Sequence, residues 1–242
     1  MDQRAKADLL RRLHRGPRLL VLPNAWDVAS ARALAALPGC LALATSSAAV
    51  ARSLGWEDGE QAPGGEMVAA AGRIAAAVDV PVTADLEAGY GDPVATATAA
   101  WAAGAVGMNF EDSPGGRLLS VERQVELIRA VRAAVPELVL NARVDVFLRG
   151  GGGVDEAVER ANAYLAAGAD CAYPILCPIA TIGELARRID GPINVIVTPD
   201  APAPAELARL GVARLTWGGG MAKAALDEAV RIAADAFARA GE

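Results

Sequence analysis

Short β-forming runs alternate with longer Ala/Leu/Arg-rich segments of helical period along almost the whole chain, and the alternation repeats eight times. Residues 18–22, 40–45, 81–85, 106–110, 137–142, 170–174, 193–197 and 212–216 read as strands. Helices are expected over 3–14, 27–36, 64–78, 93–103, 120–134, 154–167, 179–189, 203–209 and 220–239, several opened by capping or turn residues such as Ser120 or Asp92-Pro93. Eight strand-helix units preceded by a helix predict one domain over residues 1–242, a single (β/α)8 TIM-type barrel with an extra N-terminal helix. The rival is a doubly wound open sheet. It would carry a glycine-rich dinucleotide loop after its first strand, where this chain has Pro23-Asn24-Ala25-Trp26-Asp27.

Composition narrows the chemistry. At 53% hydrophobic residues the chain can bury one large core, and no low-complexity stretch divides it. A net charge of -6, with arginines scattered along the helical segments, argues against a nucleic-acid partner, since phosphate binding needs clustered positive charge. The charged N-terminus and the lack of a span-length apolar run argue against a membrane, and a cytoplasmic protein is expected. Three cysteines without a Cys-x-x-Cys pair make neither a disulfide framework nor a zinc site. The only histidine, His14, lies before any strand, and lysine occurs only at Lys6 and Lys223, outside the apolar strands. Imidazole bases, histidine-bound zinc and a Schiff-base lysine are therefore disfavoured.

In a barrel of this type the chemistry collects at the C-terminal ends of the strands, and the polar residues do so here. The first strand leads to Asn24, Trp26 and Asp27, the second to Thr45, Ser46 and Ser47, and the third to Asp85 and Glu87. The fourth leads to Asn109, Glu111 and Asp112, and the fifth to Asn141, Arg143 and Asp145. Asn194 and Thr216-Trp217 belong to the last two. The densest stretch is Val82 to Gly91, in which Asp85 and Glu87 sit one residue apart at the end of an apolar run, followed by Gly89-Tyr90-Gly91. Two carboxylates pointing the same way from a strand end repel unless a cation lies between them. The pattern reads as a hard-metal site of carboxylates and water, suited to magnesium or manganese, or else as a solvated turn.

Taken together, Pro23-Asn24-Ala25-Trp26-Asp27, Ser46-Ser47-Ala48-Ala49, Asp85-x-Glu87-x-Gly89-Tyr90-Gly91, Asn109-Phe110-Glu111-Asp112 and Asn141-Ala142-Arg143-x-Asp145 resemble, in order, the isocitrate lyase/phosphoenolpyruvate mutase superfamily. The resemblance implies a modified (β/α)8 barrel, a homo-oligomer (dimer or tetramer), bound Mg2+ and a small α-oxo or 2-hydroxy carboxylate whose C–C or P–C bond is made or broken. By position Asp85 resembles the direct magnesium ligand, and Asp58, Glu87 and Glu111 the acids that hold its waters. Asp58, in Gly55-Trp56-Glu57-Asp58-Gly59, also reads as a surface turn. Ser47, Ala48 and Ala49 match a small-residue turn whose hydroxyl and N–H groups receive the substrate, although serine there also serves as a helix cap, with Ser46 as the fallback. Arg143 matches the arginine that grips a substrate carboxylate, its other reading being a salt bridge to Asp145. Trp26 is expected to wall the pocket, Asn194 to line it, and Tyr90 to be a candidate proton donor ahead of Cys177.

Two departures from the family pattern shape the functional expectation. Glu87 stands where aspartate is commoner, and the segment Asp112 to Ser120 lacks the Lys-x-Cys-Gly-His-type loop from which the lyases draw a general acid. The expected activity is a magnesium-dependent carbon–carbon lyase or decarboxylase working through a metal-stabilised enolate, and not isocitrate lyase. The alternatives are a phosphonopyruvate-type P–C hydrolase or mutase, and an oxo-acid binding protein with reduced catalysis.

Overall fold

Pro23 decides how the first strand is used. In the computed structural model, which describes residues 1–240, the first strand, expected over 18–22, is β1, Leu20–Val21, and a second short strand, β2, Asn24–Ala25, follows it beyond Pro23. Proline has no N–H to give to a ladder. Its carbonyl still accepts from Ala44 N, while Leu22 N donates to Leu215 O, so the two short strands serve different neighbours. The remaining strands are β3, Leu43–Thr45; β4, Val82–Asp85; β5, Gly107–Glu111; β6, Val139–Val144; β7, Cys171–Pro174; β8, Asn194–Ile196; and β9, Arg214–Thr216.

Every ladder is parallel. One sheet runs β2-β3-β4-β5-β6-β7 and the other β1-β9-β8. A bridge between Ala172 and Ile193 joins them on the far side. The architecture is a TIM-like α/β fold, though the ladders form two sheets and not one continuous closed sheet as the alternation predicts. Interruption at Pro23 and at the single bridge accounts for the difference.

The helices are α1, Gln3–His14; α2, Val28–Ala35; α3, Ser47–Ser53; α4, Gly64–Ala76; α5, Pro93–Ala102; α6, Val121–Ala134; α7, Val146–Arg149; α8, Gly153–Ala166; α9, Ile182–Arg188; α10, Pro204–Arg209; and α11, Gly220–Ala240. Most caps follow the sequence: Asp27 and Ser30 form a capping box on α2, and Asp92 followed by Pro93 opens α5. Two short helices, α3 and α7, are additions to the expected set. Among the described residues no helix is long and apolar enough to cross a membrane.

α1 lies against one end of the strands, with Ala7 and Leu10 buried against Leu20, Leu22, Val106 and Val139. Its last residue, His14, is buried beneath β9: Nδ1 lies 2.7 Å from Leu10 O, and Nε2 lies 3.4 Å from Arg214 Nη1. The carbonyl takes the Nδ1–H, so Nε2 is left to accept from the arginine. Burial first, and then the Arg214 charge, lower the His14 pKa to about 4. The unfolded chain takes up a proton near pH 6.5 and the folded chain does not, so stability is full above that pH and falls as pH drops toward 4. At 1.36 kcal/mol per pH unit, roughly 2 kcal/mol is lost by pH 5 from this residue alone. Urea unfolding of wild type and of His14→Gln, which does not titrate, should therefore diverge by that amount between pH 7 and pH 5. Parallel curves would remove His14 from the acid response.

Candidate functional site

Strand register builds the site. Asp85 pairs with Asn109, and Asn109 with Asn141, so three polar side chains stand in one row across β4, β5 and β6. Two residues further on, Glu111 is level with Arg143, and Arg143 with Tyr173. Alternation along a strand sends residues i and i+2 to the same side, which puts both rows toward the interior.

The Asp85 carboxylate is oriented by three donors. Ser47 N and Ser47 Oγ each donate to Oδ2 at 2.9 Å, and Asn109 Nδ2 donates to Oδ1 at 3.1 Å. The Asn109 amide is held in that sense because its oxygen accepts from Asn141 Nδ2 at 2.8 Å and from the fully buried Arg214 Nη2 at 3.2 Å. Three of about four carboxylate lone-pair sites are thus filled, and one direction stays open.

Past Asp85 the chain turns through Glu87 and Tyr90, both left-handed at φ 51°, a conformation sparsely used outside glycine. Gly89 is required between them, since a Cβ there would lie 2.5 Å from Pro93 Cα. Glu87 accepts from Tyr90 Oη at 3.0 Å and from Glu60 N at 2.8 Å, while the Glu60 carboxylate accepts from Tyr90 N at 2.6 Å. Glu60 is itself left-handed, at φ 59°. This clasp holds the loop containing Asp58 against the end of β4. Asp58 itself is exposed, yet its charge reaches Glu87. Burial chiefly, with Asp58 and Asp85 adding, raises the Glu87 pKa to about 7.

Arg143 faces two acids. Its Nε donates to Asp145 Oδ1 at 2.6 Å and its Nη2 to Asp145 Oδ2 at 2.7 Å, and Nη2 also pairs with Glu111. Burial pushes Glu111 up to about 9, outweighing the arginine, whose charge Asp145 shares. Asp145 is fully buried; Ser113 Oγ donates to it, and its N–H donates to Asp112 Oδ1 at 2.9 Å. Asp112 in turn accepts from Tyr164 Oη at 2.7 Å and Arg160 Nη1 at 3.2 Å. A cleft of about 300 Å3 opens between Glu60, Glu87, Glu111, Ser113 and Arg149.

The structure therefore brings Asp85, Glu87, Glu111, Arg143 and Tyr90 together, with Asp58 at the rim. Several expected roles change. Ser47 and Ala49 do not offer free donors to a ligand: Ser47 spends its N–H and hydroxyl on Asp85, and Ala49 N is taken by Ser46 Oγ, the N-cap of α3. Of that trio only Ala48 has an N–H claimed by neither acceptor. The Tyr90 hydroxyl is committed to Glu87, and burial raises its pKa above the ordinary value, so it positions Glu87 and is a poor proton donor. Cys177, raised to about 11 by burial, sits in a separate small pocket with Leu176 and Ile179. Trp26 walls grooves on either side of α3, against α4 and α11, and not the carboxylate cleft. Asn194 is fully buried and pairs with Thr216 Oγ1 at 3.3 Å, which makes it a strut between β8 and β9. Glu60, Ser113, Arg149 and Arg160 were not expected; only Asp112-Ser113, directly after a strand, gave any signal.

The donors suit a hard cation in one respect and limit it in another. All are oxygen acids, and two of them, Glu87 and Glu111, are buried and raised chiefly by that burial, with neighbouring acids adding charge that a cation would relieve. No three His, Cys, Asp or Glu side chains among the described residues converge into an all-protein cage. An ion held by Asp85 and reached by the other acids through water is the arrangement the residues fit, and it is magnesium-like.

A family profile described as phosphoenolpyruvate phosphomutase matches residues 10–237. An uncharacterised Mycobacterium tuberculosis protein is 37% identical over 82% of this chain and 77% of its own length. The 2-methylisocitrate lyase of Halalkalibacterium halodurans is 29% identical over 98% of this chain and 81% of its own. A solved structure from Burkholderia cenocepacia J2315 superposes with a TM-score of 0.88 at 38% identity, covering 94% of this chain and 98% of that one. Similar proteins with named activities include a 2,3-dimethylmalate lyase and a phosphoenolpyruvate phosphomutase. With the profile spanning nearly the whole described chain and the ordered polar residues gathered at adjacent strand ends, this protein belongs to the phosphoenolpyruvate phosphomutase family of the isocitrate lyase/PEP mutase superfamily.

Proposed function

We propose that this protein is a magnesium-dependent lyase or decarboxylase for a small α-oxo or 2-hydroxy carboxylate, built on an eight-unit barrel whose first strand is split at Pro23. The observation that carries this reading is that Asp85, oriented by three donors, and Arg143, paired with Glu111, stand in successive rows at the ends of β4, β5 and β6 beside an acid-lined cleft. When bound, Mg2+ or Mn2+ would supply the positive charge that an enolate oxygen requires as it forms. Arg143 Nη1, free of the contacts that hold Nε and Nη2, would receive the substrate carboxylate. Asp145 fixes the plane of that guanidinium, and Asp112 and Ser113 fix Asp145. Glu87 and Glu111 would order water about the cation, Glu87 being locked by Tyr90 and Glu60. In decarboxylation the bond to the departing carboxylate breaks, its electron pair passes to the enolate, and a proton from water completes the product.

The segment after Glu111 is a short turn, Pro114–Gly116, with neither cysteine nor histidine to protonate a succinate-type carbanion. P–C cleavage is the second reading, supported by the family description and by the same cleft. The exposed face of α11, with Leu226, Val230 and Phe237 open to solvent, supports a homo-oligomer, dimer or tetramer.

The test is a turnover screen of oxaloacetate, 2-methylmalate, phosphonopyruvate and isocitrate, with Mg2+ and with chelator, beside thermal-shift binding of each acid. Chelator-sensitive turnover of a small oxo or hydroxy acid is expected, without glyoxylate from isocitrate. Release of glyoxylate at an enzymatic rate, on the order of 1 per second, would overturn the reading of the short loop. Binding of these acids without any product would make the chain an oxo-acid binding protein.

A further inference from the structure

Among the described residues that line the acidic cleft, Arg149 is the one basic side chain. It closes α7, whose C-cap Gly150 is left-handed, and its Nε donates to Ser113 Oγ at 3.1 Å. Ser113 is buried and donates to Asp145, the same carboxylate that grips Arg143. The two guanidinium groups are thus tied to one another through a hydroxyl and a carboxylate, at a spacing set by three consecutive side-chain hydrogen bonds. The guanidinium of Arg149 lies over the Pro114–Gly116 turn, where a Cβ on Gly116 would meet Nη1 at 3.6 Å. Among the described residues no carboxylate lies within salt-bridge distance of Arg149, although Glu60, Glu87 and Glu111 line the same cleft. A tethered arginine fork with both terminal nitrogens unclaimed is organised to receive an anion from the cleft.

We propose that Arg149 is a specificity-determining residue that binds the distal acidic group of the substrate. This rests on the function proposed above and narrows it: with Arg143 at the oxo-acid or hydroxy-acid end, the preferred ligand carries a second anion, a carboxylate or a phosphonate, and is not a simple monocarboxylate. The Arg149 charge offsets the repulsion that a second anion meets from Glu60, Glu87 and Glu111 in the same cleft.

Lactate, malate and phosphonolactate share one 2-hydroxy acid end and differ only at the other, so they isolate the distal contact. Calorimetry with Mg2+ should show wild type binding malate or phosphonolactate about tenfold or more tightly than lactate, the range for a charge-assisted hydrogen bond. Arg149→Met should erase that ratio and leave lactate affinity unchanged. Arg149→Lys, which keeps the charge, should keep part of it. The tighter of malate and phosphonolactate identifies the distal group as carboxylate or phosphonate. Equal binding of all three acids to wild type would overturn the proposal. So would an equal loss for all three in Arg149→Met, which would assign Arg149 to holding Ser113 and Asp145. Failure of all three acids to bind wild type would instead bring down the oxo-acid reading, and this proposal with it.

Discussion

Asp85→Ala is expected to abolish magnesium-dependent acid binding, lowering affinity by more than about 100-fold, while the fold survives. Loss of groups that only support a metal ligand costs 10–100-fold, and removal of the one carboxylate in line to touch the ion should exceed that. The fold survives because Asp85 is at the rim of β4 and half-buried, and its loss frees only the Ser47 and Asn109 donors. Those hydrogen bonds are worth roughly 1 kcal/mol each. Calorimetric titration with Mg2+ and malate, beside the far-ultraviolet circular dichroism spectrum, reads both parts. Wild-type magnesium affinity in a folded Asp85→Ala protein would remove Asp85 from the site.

The largest stability effect should come from Asp112, which closes the Asn109-Phe110-Glu111-Asp112 motif and points away from the cleft-lining acids into a buried network. Asp112 is fully buried and accepts from Arg160, Tyr164 and Asp145 N. Asp112→Ala leaves Arg160, only 8% exposed at its side chain, without its inner partner and orphans two further donors. Breaking a buried pair from one side costs about 3–5 kcal/mol, a large share of the 5–15 kcal/mol that typically holds a domain together. Urea unfolding should show that loss, and Arg160→Met in the Asp112→Ala background should restore part of it by removing the stranded charge. A cost below about 1 kcal/mol would mean that Glu156 and Leu119 O alone suffice for Arg160.

Asp85 and Asp112 were both visible at strand ends in the chain, but the buried partners of Asp112, Arg160 and Tyr164, were not. Asp85, Glu111 and Arg143 were legible because each ends an apolar strand, where alternation and the barrel rule place a polar side chain at the mouth. Family resemblance then gave each a role. Trp26 and Asn194 were misplaced for the opposite reason: a residue near a strand end can face outward or lie below the mouth, and only the register of β2 with β3 and β8 with β9 fixes which. Ser47 read as a ligand contact, but its donors belong to Asp85, thirty-eight residues away in sequence.

From the sequence alone came the eightfold α/β alternation, the caps, the acid-rich mouth and the family, because periodicity, capping chemistry and strand-end polarity are local properties of the chain. Tertiary structure alone decided the split of the first strand into two ladders, the Glu60 clasp on Glu87 and Tyr90, and the route from Asp112 through Asp145 and Ser113 to Arg143 and Arg149. Those contacts join residues on separate strands and loops. Their geometry depends on ladder register and burial, and neither has a period or a motif along the chain.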